Sequence, residues 1–350
     1  MSKSIRLAII GSGNIAQVHA AAISEIPQVQ LVAVCSRNRA KAESLIGTSG
    51  AQIFPTVREL LEGSEIDGVL IATPSGLHAE SAIPAMRAGK HVLCEKPLEI
   101  STNRVNHMLA EAEQAGVILG GFFPLRCGAG ARAIKRTALA GRFGQLTFLS
   151  ARIKWWRDQK YYSDSDWRGT WELDGGGALM NQGIHAVDLL QWIGGAPREV
   201  SAFASTLAHQ TLEVEDTLTA AIRFEDGCLG SISAATSCYP GLDLCLEVSG
   251  TKGTAILVND QISFWQFSPE ADEDETIRTA CAGEIRGGTF DPRAISHHGH
   301  REQIEDFCKA ILGEPTDLIG GQEAGIVVSI VEAIYRSTLS RKIEIVSQQS

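Results

Sequence analysis

Residues 5–16 read IRLAIIGSGNIA, in which the apolar run Ile5–Ile10 leads directly into a Gly-Ser-Gly turn. The pattern predicts a buried strand, a tight turn at Gly11 and a helix that begins at Asn14. Small residues in the turn let a pyrophosphate approach the backbone N–H groups at the helix start. The predicted dinucleotide contacts are Gly11, Gly13, Asn14 and Ile15. The alternative is a glycine turn with a purely structural role.

Short apolar runs alternate with helical patterns from this motif to about residue 120. The predicted strands are Ile5–Ile10, Gln30–Cys35, Asp67–Thr73, His91–Cys94 and Val117–Gly120. Apolar strands separated by helices are typical of a parallel sheet that is covered on both faces. We therefore expect an α/β fold whose N-terminal part, residues 1–123, is a doubly wound Rossmann domain.

After Phe123 and Pro124, strand patterns follow one another with few helices between them, which predicts an open, mainly antiparallel sheet. The predicted strands are Gln145–Trp155, Val200–Leu207, Thr217–Phe224, Cys228–Ala235, Leu242–Val248, Gly253–Leu257 and Ile262–Phe267. Helices are predicted over 131–140, 178–193, 302–312 and 322–339. A chain of 350 residues is long enough for two domains, and we expect residues 124–350 to form an α+β domain.

The composition argues against several classes of partner. The formal net charge is −10 and no basic run occurs, which argues against nucleic acid, while the acidic run 270–275 predicts a solvated loop. The eight cysteines contain no Cys-x-x-Cys pair, as is typical of a reduced compartment. No apolar run reaches the ~18 residues of a membrane span, and the first strand leaves no room for a signal peptide. We expect a cytoplasmic protein.

The end of the second predicted strand bears on cofactor choice. It reads Cys35-Ser36-Arg37, and no carboxylate follows until Glu43. NAD enzymes place an acidic residue there for the ribose hydroxyls, whereas a basic residue accommodates the 2′-phosphate of NADP. Ser36 and Arg37 therefore favour NADP, although an exposed arginine would tolerate either cofactor.

Two further segments lie at predicted strand ends, where open α/β sheets bind ligands. They read TPSGLH over 73–78 and AGKHVLCEKPL over 88–98. With GSGNIA, their sequences and spacing resemble the Gfo/Idh/MocA (glucose–fructose oxidoreductase/inositol dehydrogenase) superfamily, and the resemblance covers the whole chain. It implies a Rossmann domain, a second domain whose open sheet mediates oligomer contacts, and Lys96 beside the nicotinamide and the reacting carbon. The cofactor contacts expected from these segments are Thr73, Pro74, His78, Glu95 and Lys96.

A glycine run at 175–177 leads into a predicted helix on which Asn181, His185 and Asp188 share one face. In the resembled family this helix presents a carboxylate or amide and a histidine to the substrate, which implies substrate contacts from Asn181 and His185. Asn181 stands where many members have Asp, and an amide cannot take a hydroxyl proton. The role of general base therefore falls on His185, alone or shared with Lys96. Asp188 either orients the imidazole or faces the core.

A histidine-rich segment, His297-His298-Gly299-His300, precedes a predicted helix. It has no accompanying set of cysteines or carboxylates, and hydride transfer needs no metal. The resembled family has a similar helix start without a metal, so we expect none here.

Aromatic residues are concentrated in one loop, since six of the ten Trp and Tyr residues lie between Trp155 and Trp171. Aromatic faces pack on the C–H patches of sugar rings, and guanidinium groups bind hydroxyls or carboxylates. We expect substrate contacts from Arg157, Trp167 and Arg168, with a subunit interface as the alternative interpretation of the loop.

Together these features predict an NAD(P)-dependent oxidoreductase. It would transfer hydride between the nicotinamide and a secondary hydroxyl or ketone of a sugar, a sugar derivative or a cyclic polyol, with Lys96 and His185 as catalytic residues. Two alternatives stay open: redox-assisted glycoside cleavage on the same scaffold, and a non-catalytic sensor of the cofactor's redox state. The chain is expected to form a dimer or tetramer through its C-terminal sheet.

Overall fold

The computed structural model describes residues 4–47, 49–281 and 297–347. These residues form two compact units, the first from 4–124 and 297–328 and the second from 125–281 and 329–347. A domain boundary after residue 123 stays a prediction. The structure adds that the segment 297–328 packs with the first unit.

Six parallel strands form the sheet of the first unit. They are β1 Ile5–Ile10, β2 Val29–Cys35, β3 Gln52–Phe54, β4 Gly68–Ile71, β5 His91–Cys94 and β6 Leu119–Gly121. Their order is β3-β2-β1-β4-β5-β6, so the direction of strand addition reverses between β1 and β4. This is the doubly wound order of a Rossmann sheet, and the predicted fold class is confirmed.

Helices cover this sheet because its strands are apolar along their whole length. The helices are α1 Asn14–Ser24, α2 Arg39–Ile46, α3 Val57–Gly63, α4 His78–Arg87 and α5 Thr102–Ala115. All four residues of β4 are buried, and α1 adds Ala16, Ala22 and Ile23 to the same core. A strand buried on both sides needs helices on both faces, as in other parallel sheets.

The second unit contains an eight-stranded mixed sheet. Its strands are β7 Leu146–Lys154, β8 Pro197–Ser205, β9 Thr217–Phe224, β10 Leu229–Ala235, β11 Cys245–Gly250, β12 Gly253–Val258, β13 Gln261–Phe267 and β14 Glu344–Ile345. The order is β13-β12-β11-β7-β10-β9-β8-β14, and every pair is antiparallel except β7 with β10. Burial alternates along β9, so one face of the sheet packs on the core and the other is exposed.

The helices of this unit are α6 Ala129–Leu139, α7 Gln159–Ser163, α8 Ile184–Gly194 and α9 Glu273–Ala280. Residues Ala178–Gly183, directly before α8, form a π-helical turn. The predicted helix over 178–193 therefore exists, but its first turn is wider than an α-helical turn. Such π turns are rare and occur often at functional sites.

Two helices close the chain, α10 His298–Leu312 and α11 Gly321–Ser340. On α10, Ile304, Phe307 and Cys308 belong to the same core as β1, which explains why this helix packs with the first unit. Residues of α11 up to Val328 belong to the first unit and the later ones to the second.

The acidic run 270–275 corrects one expectation. Its acidic residues are exposed as predicted except Asp274, which is fully buried, and its last three residues form the first turn of α9 rather than a loop. The Asp274 carboxylate accepts hydrogen bonds from both Arg142 Nη atoms at 2.7 Å and from the Trp265 indole at 2.7 Å. A buried charge needs partners of this kind, and the charged partner, Arg142, lies 132 residues away in the sequence.

Among the residues that the structure describes, no helix is both long and apolar enough to cross a membrane.

Candidate active site

Four loops of the first unit follow neighbouring strands. The loops after β2, β1, β4 and β5 begin side by side, because Cys35, Ile10, Ile71 and Cys94 are register neighbours in the sheet. The structure thus brings the predicted cofactor contacts to the carboxyl edge of one sheet, where open α/β sheets bind ligands.

The turn after β1 has the geometry that its glycines allow. Gly11 adopts a φ of +119°, and a β-carbon on it would overlap the carbonyl of Ala72 after β4. Gly13 is exposed, and a β-carbon on it would have no atom within 4 Å. Asn14 and Ile15 open α1, whose N-terminus has no side-chain cap and no acidic residue in its first turn. The free N–H groups and the open space at Gly13 suit an approaching phosphate.

At the end of β2, Ser36 and Arg37 play different parts. The Ser36 hydroxyl lies 2.6 Å from the Ser12 hydroxyl and accepts a hydrogen bond from Asn38 N at 3.0 Å, so it ties the two loops together. Arg37 is exposed and, within the described residues, forms no ion pair, whereas Arg39 is bonded to Glu43 at 2.9 Å. Arg37 is therefore the available cation at this strand end.

The loop after β4 contains Thr73, Pro74 and His78. The Thr73 hydroxyl is buried and finds no hydrogen-bond partner in the described part of the chain. The buried His78 ring reaches the carbonyl oxygens of Pro97 at 2.9 Å and Thr73 at 3.0 Å. His78 thus links the loop after β4 to the loop that contains Lys96. A contact between the His78 ring and the cofactor stays a prediction.

Glu95 lies inside the first unit, next to Lys96. Its Oε1 accepts a hydrogen bond from His19 Nε2 at 2.8 Å and lies 3.3 Å from His300 Nε2, while Oε2 accepts one from Lys96 N at 3.2 Å. Burial opposes ionisation of Glu95, but the hydrogen bonds from the two histidines outweigh it and hold its pKa well below the usual range. The buried Glu95 side chain supports the Lys96 backbone from within, and a contact between Glu95 and the cofactor stays a prediction.

His300 therefore has a role that the sequence did not indicate. The ligand-capable atoms of His19, Glu95 and His300 all lie within 4.8 Å of one another, a spacing that a metal ion also requires. Hydrogen bonds from two histidines to one carboxylate account for this spacing without a metal. His297 and His298 bond instead to Glu25 and Glu302.

In the second unit, Asn181 lies in the π turn, one helical turn before the half-buried His185. Asn181 Nδ2 donates to Asp174 Oδ1 at 2.6 Å, and the other oxygen of Asp174 accepts a hydrogen bond from Gly169 N at 2.9 Å. Because a carboxylate is an acceptor only, this contact fixes which end of the Asn181 amide faces Asp174. Asp174 was missed by sequence reasoning, although its place before the glycine run was a usable signal.

A second buried acid, Glu215, holds the start of the π turn. Its carboxylate accepts hydrogen bonds from Gly177 N at 3.0 Å, Leu179 N at 2.8 Å and the Tyr335 hydroxyl at 3.1 Å. A β-carbon on Gly177 would overlap the Glu215 backbone carbonyl, so this position requires glycine. Burial raises the pKa of Glu215 to about 7.

The aromatic loop contacts the same turn. Gln182 Nε2 donates to the Tyr161 hydroxyl at 3.1 Å. The guanidinium carbons of Arg157 and Arg168 lie 5.4 Å and 4.3 Å from the centre of the Tyr161 ring, and Arg168 also lies 5.3 Å from the ring of Trp167. The structure therefore brings the three predicted substrate contacts of this loop close to the segment that contains Asn181.

Asp188 faces the interior. Its carboxylate accepts a hydrogen bond from Arg126 Nε at 2.9 Å, and both side chains are buried. Of the two interpretations of Asp188, the structure therefore supports the core-facing one.

Comparison with known proteins agrees with this geometry. Residues 5–123 match a family model described as "Oxidoreductase family, NAD-binding Rossmann fold", and residues 131–256 match the "GFO/IDH/MocA C-terminal domain". The chain belongs to the Gfo/Idh/MocA oxidoreductase family. The predicted family and the predicted activity class, an NAD(P)-dependent oxidoreductase, are thereby confirmed.

Several members of the Gfo/Idh/MocA family are similar over nearly the whole chain. The WlbA dehydrogenase of Bordetella pertussis, solved with NADH and UDP-GlcNAcA, is 30% identical over 100% of this chain and 99% of its own, with a TM-score of 0.91. The WlbA dehydrogenase of Chromobacterium violaceum, with the same ligands, is 31% identical over 100% and 98%, also with a TM-score of 0.91. Myo-inositol 2-dehydrogenase of Thermotoga maritima is 28% identical over 95% of this chain and 96% of its own.

The strand-end residues fit the dinucleotide of this family. Three features would be satisfied by a bound cofactor: the open space at Gly13, the uncapped start of α1, and the buried Thr73 hydroxyl, which has no partner among the described residues. Two glycine variants separate the structural role of this turn from its binding role.

We expect Gly11→Ala to destabilise the fold by about 1–3 kcal/mol, because the added carbon meets the Ala72 carbonyl at a strained φ. Gly13→Ala should leave the melting temperature unchanged but weaken NAD(P)H binding by about tenfold or more, because its methyl group occupies the phosphate approach. Thermal melting without cofactor and fluorescence titration with cofactor measure the two effects. Wild-type affinity of Gly13→Ala would show that phosphates do not bind at this turn.

Glu215 predicts a pH dependence of stability. Its folded pKa of about 7 exceeds the ordinary value of 4.5, so the folded protein binds the proton more tightly than the unfolded chain. The resulting stabilisation is fully present below about pH 4.5 and is lost as the pH rises through about 7. The free energy of unfolding of the wild type, relative to Glu215→Gln, should therefore fall by about 3 kcal/mol between about pH 4 and about pH 8.

Urea unfolding of both proteins across this range measures the difference. Tyr335→Phe is the companion variant: it removes a hydrogen bond that lowers the Glu215 pKa, so the loss of stability should move to higher pH. Parallel pH profiles of wild type and Glu215→Gln would contradict the assignment.

Proposed function

We propose that the chain transfers hydride between a nicotinamide cofactor and a secondary hydroxyl or ketone of a sugar, a sugar derivative or a cyclic polyol. The proposal rests on one observation in an NAD-binding oxidoreductase: the Asn181 amide is fixed by Asp174 and lies one helical turn before His185. These are groups that bind a hydroxyl and take its proton. Relatives named for sugar and polyol substrates support the same class, as do the WlbA structures solved with NADH and UDP-GlcNAcA.

The catalytic roles proposed here divide proton transfer from charge stabilisation. His185 removes the hydroxyl proton as general base, since imidazole titrates near neutral pH. Lys96 donates a hydrogen bond to the same oxygen and stabilises the alkoxide as it forms. Asn181, whose Nδ2 is bonded to Asp174, uses its Oδ1 as an acceptor toward a neighbouring hydroxyl. The bound nicotinamide supplies the hydride acceptor, held by the loops after β1, β2, β4 and β5.

We expect Lys96→Ala and His185→Ala each to lower kcat by about 10²- to 10⁴-fold, while the cofactor dissociation constant stays within a few-fold of wild type. Exposed residues of the same types provide the controls, Lys41→Ala and His107→Ala. The assay follows NAD(P)H absorbance over a panel of sugars and polyols. Near-normal turnover in either site variant would remove that residue from the mechanism.

The same assay separates the two alternatives. A dehydrogenase accumulates reduced cofactor, whereas redox-assisted glycoside cleavage forms product without net change in the cofactor. A sensor binds the cofactor and turns over no member of the panel.

For the cofactor we propose a preference for NADP, which rests on Arg37 and on the lack of an acidic residue before Glu43. The WlbA dehydrogenases were solved with NADH, so the preference of this chain between NADP and NAD has to be measured directly. Arg37→Gln should lower kcat/KM for NADP relative to NAD by about tenfold, because one cation facing the 2′-phosphate is lost. Arg39→Gln, whose side chain is bonded to Glu43, should leave the ratio unchanged. Equal ratios for wild type and Arg37→Gln would remove the NADP preference.

We further propose a cytoplasmic homo-oligomer that contacts its copies through the second sheet. Phe148 on β7 and Leu229 on β10 are register neighbours, 41% and 47% exposed, and Phe203 on β8 is 77% exposed. Large exposed apolar side chains on one sheet are typical of a subunit interface. Dimer and tetramer both satisfy this proposal.

A further inference from the structure

The guanidinium groups of the aromatic loop concentrate positive charge at one ring. We refer to Arg157, Tyr161 and Arg168 as the arginine–tyrosine cluster. Both guanidinium carbons lie within 5.4 Å of the Tyr161 ring centre, and Arg157 also lies 5.1 Å from the centre of the Trp155 ring. Arg157 is 5% exposed, so this charge is largely removed from water. Burial lowers the pKa of Arg157, and the charge of Arg168 adds to this effect.

Rigid contacts hold the cluster in place. The Arg157 backbone donates to Thr236 O at 2.9 Å, and its carbonyl lies 2.7 Å from His209 Nε2, whose Nδ1 lies 2.9 Å from Asp216 Oδ2. Arg168 Nη1 donates to the Tyr161 carbonyl at 3.2 Å. Two guanidinium groups are therefore held at the same tyrosine ring, where the charge of Arg168 acts on Arg157, and a bound anion would offset the cost of this arrangement.

Arg168 retains binding capacity. Its Nε is buried without an acceptor, and its side chain forms no ion pair among the residues that the structure describes. A guanidinium has five N–H donors in a planar fork, of which aromatic stacking uses none. The remaining donors match the two oxygens of a carboxylate.

Hydrogen bonds link the arginine–tyrosine cluster to the segment that contains Asn181. The Tyr161 hydroxyl is bonded to Gln182, the neighbour of Asn181. Gly169, which follows Arg168, is bonded to Asp174, and the same carboxylate holds the Asn181 amide. Both ends of the cluster are thus joined to the segment that is proposed to bind the reacting hydroxyl.

We propose that Arg168, supported by Arg157, binds a carboxylate of the sugar substrate, so that the enzyme selects a uronic acid over the corresponding neutral sugar. The proposal rests on the proposed function, because it takes the segment with Asn181 and His185 as the sugar site. Within that site it names the substrate class and the residue that selects it. A charge-assisted contact to this half-buried guanidinium accounts for a preference of about 10- to 100-fold.

The test is calorimetric binding, which does not depend on turnover. The probes are UDP-glucuronate against UDP-glucose and free glucuronate against glucose, each pair differing only in the C6 carboxylate, with NAD(P)H present. Wild type should bind at least one acid about tenfold or more tightly than its neutral counterpart. Arg168→Gln should abolish this preference, so that the acid binds no more tightly than its neutral counterpart.

Two further variants test whether the preference depends on the guanidinium of Arg168 rather than on charge alone. Arg168→Lys retains the charge without the planar fork and should recover only part of the preference. Arg223→Gln removes an arginine that is half exposed and paired with Glu199 on the same sheet, and it should behave as wild type. Circular dichroism of each variant confirms that the chain has folded.

The outcomes separate this proposal from the proposed function. Equal affinity of wild type for acid and neutral sugar, or a preference that survives in Arg168→Gln, overturns the carboxylate site even if sugars are oxidised. Tighter binding of glucose 6-phosphate than of glucuronate also overturns it, since the anion would then be a phosphate. An acid preference that depends on Arg168, without turnover of any sugar, supports the binding site and rejects the oxidoreductase mechanism on that substrate.

Discussion

Two adjacent buried carboxylates, Glu215 and Asp216, organise the candidate site of the second unit. Glu215 binds the backbone N–H groups of the glycine turn that leads to Asn181. Asp216 binds the N–H groups of residues 207–209 and the ring of His209, which in turn contacts the Arg157 carbonyl. Neighbouring residues at a strand start point to opposite sides, so one dipeptide fixes the π turn on one side and the aromatic loop on the other.

Local patterns were enough to predict most of the fold. Ile5–Ile10, His91–Cys94 and Thr217–Phe224 are found with the predicted bounds, because each has a clear apolar pattern and an unambiguous break at both ends. The Gly11 turn was legible for the same reason: its strained φ and its contact with Ala72 exclude other residues. Features of this kind are determined by residues that are close to them in the sequence.

The features that were missed depend on partners far away in the sequence. Asp274 looks like part of a solvated acidic run until Arg142 and Trp265 are placed beside it, and then it becomes a buried anchor. His300 looks like one of three equivalent histidines, yet only this one reaches Glu95. The same composition therefore specifies a surface or a core, and only tertiary contacts decide between them.

The contacts of the amide at position 181 decide which chemistry it can perform. With its Nδ2 bonded to Asp174, Asn181 presents Oδ1 as the acceptor end of a fixed dipole. An amide oxygen accepts a hydrogen bond from a hydroxyl but does not become a proton carrier, so the site retains orientation and loses one possible base. Asp174, which is hydrogen-bonded to Asn181, carries the negative charge that Asn181 itself lacks. This charge polarises the amide and favours its role as an acceptor. In the proposed mechanism the proton of the reacting hydroxyl therefore goes to His185, one helical turn after Asn181.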